Sequence, residues 1–221
     1  MPARNSRKQY INDAYYHIYN RGVEKRKIFM DQQDYGVFLS YLKQYLTPKN
    51  EKELRKQLAN SDISSRHKDK ILKLLRLNNF CGEITLLAYC LMPNHFHLFV
   101  KQKGGGVIDA FMNSLGTRYT MYFNKKYKRV GSLYQGVYKA ALVLSEDQFI
   151  YLSKYIHKQA VPNQPSSYTE YLGKRNTEWI NTKEILSYFS NTNPTLSYQS
   201  FVEETEDFGR IQNIILEEDE V

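Results

Sequence analysis

The feature that most constrains the fold is a pair of apolar segments joined by a short turn. Residues 83–91 are rich in apolar side chains, Met92-Pro93-Asn94 forms a tight turn, and residues 95–101 alternate in character. Because side chains of a strand point alternately to its two faces, one face of the second strand holds Phe96, Leu98 and Val100, and the other holds His95, His97 and Phe99. The pattern predicts two strands, the second buried on one side and presenting two histidines on the other.

The rest of the chain adds helices and two more strands. Residues 15–19 are typical of a strand that ends at Asn20-Arg21-Gly22. Asp31 is a candidate N-cap for a helix that ends before Pro48. Residues 49–78 are densely charged with scattered leucines and are interpreted as one or two exposed helices that form an insertion.

After the glycines at 104–106, the apolar stripe from Val107 to Phe123 predicts a long helix, and residues 137–144 predict another strand. Ser145 to Gln148 has the capping-box pattern and opens a helix through about Gln159. The order of elements predicts an α+β sandwich of the ferredoxin or RNA-recognition-motif type. We expect an antiparallel sheet with helices on one face and an open catalytic face. Residues 1–165 would form the catalytic domain and residues 166–221 a C-terminal extension with an acidic tail.

Charge is unevenly distributed. The chain carries a formal charge of +8, yet residues 201–221 hold eight acidic side chains and one basic side chain. The preceding part is therefore strongly basic, which favours a polyanionic partner such as nucleic acid. Nineteen tyrosines add aromatic rings on which single-stranded bases can stack.

Cysteine usage and hydropathy bear on location. Two cysteines give no disulfide framework, so a reduced cytoplasmic protein is expected. If the polyanionic partner is DNA, the protein would be nucleoid-associated. No run of residues approaches the 18 consecutive apolar residues of a membrane span, so no membrane association is expected.

Two histidines at i and i+2 on a strand project in parallel, so both can reach one ion; the alternative is two strand histidines without a metal. Imidazole suits zinc, copper, iron and nickel, whereas phosphate oxygens suit magnesium and manganese.

On the last helix of the compact part, Tyr155 and Gln159 share one face. Spacing alone favours the structural interpretation, a tyrosine at the core edge beside a solvated glutamine. His157 is interpreted as a packing or surface residue and His17 as an ordinary strand histidine that could line the open face.

Several segments together resemble one known family. Residues 89–100, Tyr-Cys-Leu-Met-Pro-Asn-His-Phe-His-Leu-Phe-Val, resemble the HUH motif (His, bulky hydrophobic, His) of the single-tyrosine transposases, of the REP-associated and IS200-like types. Residues 16–22 resemble the first strand of that family, residues 118–136 its middle segment, and Tyr-Ile-His-Lys-Gln at 155–159 its nucleophile helix. Many REP-associated members carry Asn-Pro where this chain has Gln-Ala at 159–160, so the subfamily and its DNA target stay open.

The resemblance implies a catalytic tyrosine at Tyr155 and a Mg²⁺ or Mn²⁺ ion held by His95, His97 and Gln159. It implies cleavage and rejoining of single-stranded DNA that carries hairpin elements, through a 5′-phosphotyrosine, with a homodimer as one arrangement. The candidate DNA-binding residues are Arg21, Arg118, Lys125, Lys126, Arg129 and Lys139, interpreted as phosphate contacts. Two alternatives stay open: another HUH nuclease, such as a replication initiator or relaxase, and a non-catalytic RNA-recognition-like binding module.

Overall fold

The computed structural model describes residues 8–160, 164–205 and 208–215. Its centre is an antiparallel sheet of four strands in the order β2-β3-β1-β4. The strands are β1 (Tyr15–Arg21), β2 (Ile84–Met92), β3 (His95–Gln102) and β4 (Lys139–Leu142). The strand that carries the two predicted metal ligands, β3, is therefore an inner strand, hydrogen-bonded along both edges.

Two helices cover one face of this sheet, α1 (Gln32–Leu46) and α4 (Val107–Lys126). Helix α1 begins where the Asp31 carboxylate accepts a hydrogen bond from the Asp34 amide, as the sequence predicts. Helix α4 begins after Gly106, whose φ of +85° lies in the left-handed region that favours glycine. The core between helices and sheet contains Phe38, Leu42 and Tyr45 of α1, Phe111, Leu115 and Tyr119 of α4, and Ile18, Phe96 and Leu98 of the sheet.

The charged segment before β2 forms two short helices, α2 (Glu51–Leu58) and α3 (Ser65–Arg76). Helix α2 has no buried residue and α3 buries Ile71. This agrees with the prediction of one or two exposed helices. That the segment is an insertion stays a prediction.

The second face of the sheet is covered as well. Helix α5 (Glu146–Lys158) lies on it, followed by the short helices α6 (Tyr168–Tyr171), α7 (Lys183–Leu186) and α8 (Tyr198–Glu203) and a 3₁₀ turn at Gly209–Ile211. The side chains that pack there include Leu152 and Ile156 of α5, Tyr198 and Ile211 of the later segment, and Ala88, Phe99 and Ala141 of the sheet.

The predicted α+β sandwich with an antiparallel sheet is confirmed, but helices on one face only and an open catalytic face are wrong. The apolar residues that β2 and β3 present on this face, such as Leu87 and Phe99, are fully buried. Helix α5 and the segment after it supply the apolar side chains that shield them from water.

The predicted C-terminal extension is hydrogen-bonded to the sheet in its described part. The Ser167 and Asn181 amides donate to the Tyr89 and Leu86 carbonyls of β2. The domain boundary at residue 165 stays a prediction, and most of the acidic tail, including residues 217–220, lies outside the described residues. No helix within the described ranges is long and apolar enough to cross a membrane.

Candidate active site

The register of β1 against β3 brings polar side chains together on the face covered by α5. Arg21 is paired with His95, Tyr19 with His97, and His17 with Phe99. Directly paired residues of antiparallel strands project to the same face. The alternation predicted for β3 therefore places both of its histidines on one side, beside three side chains of β1.

Three imidazoles form what we call the histidine cluster: His17, His95 and His97. The ring centroids of His95 and His97 are 4.9 Å apart, and those of His17 and His97 are 5.1 Å apart, nearly stacked at 21°. All three side chains are buried. Burial lowers the pKa of His17 to about 4, and burial together with the nearby charge of Arg21 lowers that of His95 to about 4. The pKa of His97 is lowered well below its usual range, by burial first and then by the two neighbouring histidines.

Hydrogen bonds fix the orientation of these rings. His17 Nδ1 donates to the Ile214 carbonyl, and His17 Nε2 lies 2.9 Å from His97 Nδ1. On the other side, His95 Nδ1 lies 2.7 Å from Asn94 Oδ1. The side-chain nitrogen of Asn94, Nδ2, in turn donates to the Lys25 carbonyl at 3.5 Å.

Helix α5 brings Tyr155 to the histidine cluster. The helix begins where the Ser145 hydroxyl accepts from the Gln148 amide, and its apolar side packs on the sheet. The Tyr155 ring meets the His97 ring edge to face, with centroids 5.4 Å apart, and lies 6.0 Å from the His17 ring. Tyr155 is only 5% exposed, with the Phe208 ring against it at 5.3 Å.

Gln159 is the C-cap residue of α5 and is half-buried. Its backbone N–H donates to the Tyr155 carbonyl. One helical turn therefore separates the predicted nucleophile from the predicted third ligand, on the same face of the helix. Whether Gln159 binds a metal stays a prediction.

The chemistry of the donor set fits a divalent ion. His97 Nε2 is buried and has no hydrogen-bond partner among the described residues, which is a position that a metal ion would satisfy. In the same ranges, no group of three or more His, Cys, Asp or Glu side chains is arranged to hold a metal. A site here therefore needs ligands of another type, such as an amide oxygen or the oxygens of a bound phosphate.

Arg21 lies at the edge of the histidine cluster. Its Nε and Nη2 donate to Gln135 Oε1 at 3.0 and 2.8 Å, while its buried Nη1 has no partner among the described residues. Lys139 is paired with Tyr19 across β1 and β4, so its side chain projects to the same face as the histidines.

The other predicted DNA-binding residues lie in or after α4, which packs against the opposite face of the sheet. Lys126 forms ion pairs with Asp31 and Asp34 at 2.7 and 2.8 Å. The Arg118 guanidinium stacks on the Tyr41 ring at 3.7 Å, and its Nη2 donates to Gln44. Lys125 is exposed, and Arg129 Nη1 donates to Asn124 Oδ1. The six residues do not form one patch with the histidines, and DNA contact by any of them stays a prediction.

The sequence does not identify three residues of this site as functional. It predicts His17 as an ordinary strand histidine that could line the open face, and it gives no role to Asn94 or Phe208. The signal for His17 was its two-residue spacing from Tyr19, which places both on one face of β1. The long-range pairing that brings His17 beside His97 could not be read from the sequence.

Three comparisons with known proteins bear on this site. Residues 51–159 match the family described as "Transposase IS200 like". Among solved structures, one of the REP-associated tyrosine transposase bound to a REP hairpin is similar, with a TM-score of 0.49, 8% identity, and coverage of 81% of this chain and 98% of the other. A transposase structure from Deinococcus radiodurans R1 has a TM-score of 0.37, 16% identity, and coverage of 71% and 98%. At these scores neither structure establishes a shared activity. No curated protein matches the sequence.

Proposed function

This chain belongs, through residues 51–159, to the family of IS200-like transposases, and on that premise we propose that it cuts and rejoins single-stranded DNA at hairpin-marked sites. Tyr155 is the proposed nucleophile and Mg²⁺ or Mn²⁺ the proposed cofactor. His95, His97 and Gln159 are the residues that would hold the ion. Arg21 and Lys139 are the proposed phosphate contacts on the same face.

The proposed reaction is a transesterification. A bound divalent ion would supply Lewis-acid chemistry, by withdrawing charge from the scissile phosphate and fixing its orientation. The Tyr155 oxygen attacks phosphorus, so a Tyr O–P bond forms and the P–O3′ bond breaks. The proton that the phenol loses is balanced by the proton that the 3′ oxygen gains. The products are a 5′-phosphotyrosine and a free 3′-hydroxyl, and attack by another 3′-hydroxyl reverses the step without an external energy source.

One observation carries this proposal: His97 Nε2 is buried without a partner beside the ring of Tyr155. A buried nitrogen with an unused lone pair costs free energy unless a ligand meets it. A binding module that only stacks bases would need neither the orphan nitrogen nor the tyrosine beside it.

The decisive assay is covalent trapping. An oligonucleotide with a hairpin, labelled on the 3′ side of the cut, is incubated with protein and Mn²⁺ or Mg²⁺ and separated under denaturing conditions. We expect a labelled adduct with wild-type protein that disappears in Tyr155→Phe and in the presence of a chelator. Tyr151→Phe is the matched control, because Tyr151 lies one turn earlier on α5 and packs against Phe201 instead.

DNA binding by Tyr155→Phe should remain close to wild type, since the substitution removes one hydroxyl. An adduct that persists in this variant would disprove the role of Tyr155. Metal-dependent cutting of hairpin-free strands with equal efficiency would favour another HUH nuclease, such as a replication initiator or relaxase. Binding without any cutting would favour the non-catalytic module.

The proximity of Tyr155 and His97 within one chain supports a site completed in cis. A homodimer that exchanges α5 between subunits is the alternative arrangement. Mixing Tyr155→Phe with His97→Ala protein distinguishes the two. If each chain completes its own site, the mixture stays inactive, whereas restored cleavage would show that the tyrosine acts in a partner's site.

A further inference from the structure

Both proposed histidine ligands are held by hydrogen-bond relays that end on backbone carbonyls. The first relay runs from His97 Nδ1 to His17 Nε2 and from His17 Nδ1 to the Ile214 carbonyl. The second runs from His95 Nδ1 to Asn94 Oδ1 and from the Asn94 amide group to the Lys25 carbonyl. Neither His17 nor Asn94 belongs to the proposed set of metal ligands.

The chemistry of each relay allows one arrangement of protons. A carbonyl only accepts, so the N–H of His17 is on Nδ1 and its Nε2 carries the lone pair. His97 must then donate from Nδ1 to that lone pair, which leaves the His97 lone pair on Nε2. That nitrogen is the buried one without a partner.

The second relay leads to the same result at His95. The Asn94 amide nitrogen donates to the Lys25 carbonyl, so its oxygen is the atom that faces His95. An amide oxygen accepts, and His95 therefore donates from Nδ1. The lone pair of His95 is also left on Nε2.

We propose that His17 and Asn94 are positioning residues that hold His97 and His95 in the tautomer with Nε2 free for the metal before any ion binds. A histidine that ligates a metal commonly donates its other ring N–H to a carboxylate, a backbone carbonyl or water, and that partner orients the ring and fixes its tautomer. Here the Asn94 oxygen is the acceptor for His95, and the His17 nitrogen takes the same position for His97. His17 does so from the neighbouring strand and Asn94 from the β2–β3 turn. The inference deepens the proposed function and rests on the metal site proposed there.

The tautomers can be observed directly in the metal-free wild-type protein. Long-range ¹H–¹⁵N correlation spectra of protein labelled at histidine distinguish Nδ1–H from Nε2–H rings. We expect His95 and His97 as Nδ1–H tautomers. A proton on Nε2 of either ring would overturn the proposal for that ring, and this measurement requires neither a variant nor DNA.

Metal affinity tests the consequence. Loss of an outer-sphere partner typically weakens metal binding by about 10–100-fold, so His17→Leu should weaken Mn²⁺ binding, measured by calorimetry on the full chain, within that range. His17→Gln should restore most of the affinity, because the glutamine oxygen can accept from His97 Nδ1. His157→Leu is the matched control: His157 is equally buried and bonded at both nitrogens, to Tyr198 and Ser167, but does not touch the histidine cluster.

The outcomes separate this inference from the proposed function. If His17→Leu binds Mn²⁺ with the affinity of the wild type, the positioning role of His17 is overturned and the proposed metal site stands. Equal losses in His17→Leu and His157→Leu would also overturn it, because a general effect of a buried histidine would then explain both. A wild-type protein that binds no Mn²⁺ would overturn the metal site and this inference together.

Discussion

Lowering the pH from 7 to 5 should cost this protein stability through His157. This side chain is buried on α5, with Nδ1 2.6 Å from the Tyr198 hydroxyl and Nε2 2.8 Å from the Ser167 hydroxyl. Burial lowers its pKa from 6.5 to about 3. The imidazole therefore stays neutral in the folded protein at pH 5, whereas it is protonated in the unfolded chain.

The sign follows from the order of the two pKa values. Because the folded pKa lies below the unfolded one, protons bind preferentially to the unfolded chain. The stabilisation is present above pH 6.5 and is lost as the pH falls toward 3. Between pH 7 and 5, protonation of the unfolded chain at this residue lowers the free energy of unfolding by about 2 kcal/mol. That is a large part of the 5–15 kcal/mol that holds a typical domain together.

His157→Gln isolates this contribution, because glutamine does not titrate and can still hydrogen-bond. Urea unfolding of both proteins at pH 7 and 5, with a chelator present and ionic strength fixed, can be followed through the single tryptophan, Trp179, which stacks on Tyr89. We expect the wild type to lose about 2 kcal/mol more than the variant. The histidine cluster, present in both proteins, cancels in this difference. Equal losses in the two proteins would refute the reasoning.

Three further predictions concern the fold and the basic residues. Gly22→Ala should destabilise the protein by about 1–3 kcal/mol, because a Cβ there would lie 2.2 Å from the Arg26 carbonyl oxygen. Gly36→Ala in α1 should stabilise the protein, because a Cβ there meets nothing within 4 Å and alanine favours the helix. Thermal unfolding of both variants checks this. Arg21→Gln should weaken single-stranded DNA binding and reduce its salt dependence by about one charge, measured by fluorescence anisotropy at several salt concentrations, and an unchanged slope would contradict a phosphate contact. Lys126→Gln should lower the free energy of unfolding, because it removes the ion pairs with Asp31 and Asp34. Lys125→Gln, at an exposed position, should leave that free energy unchanged when both variants are unfolded in urea. Equal stability of the two variants would argue against a structural role for Lys126.

Local patterns predicted the elements well. The Asp31 cap, the glycine before α4 and the Ser145 capping box act within one turn of the chain, and the helices begin at those residues. The alternation of β3 likewise predicted which side chains share a face. These signals depend on neighbours close in sequence, so they can be read without knowing the fold.

What could not be predicted depends on distant pairings. The sequence separates His17 from His97 by 80 positions, and no local signal indicates that their strands pair in the register that brings the rings together. The cover of the second sheet face was missed for the same reason, since the residues after Pro165 form short helices whose packing is set by the sheet. Lys126 and Lys139 lie on opposite faces of the sheet, although both belong to the same basic stretch of the sequence. This placement depends on the topology, which no local pattern shows.

The bond from His17 to the Ile214 carbonyl joins residues 197 positions apart. During synthesis it can form only after residue 214 has left the ribosome, long after the β1–β3 pairing is available to the growing chain. Contacts of such high sequence separation are also the slow ones in refolding. A nascent chain can therefore pair β1 with β3 before the first relay is complete, and any truncation ahead of residue 214 yields a protein in which His17 has lost the acceptor for its Nδ1–H.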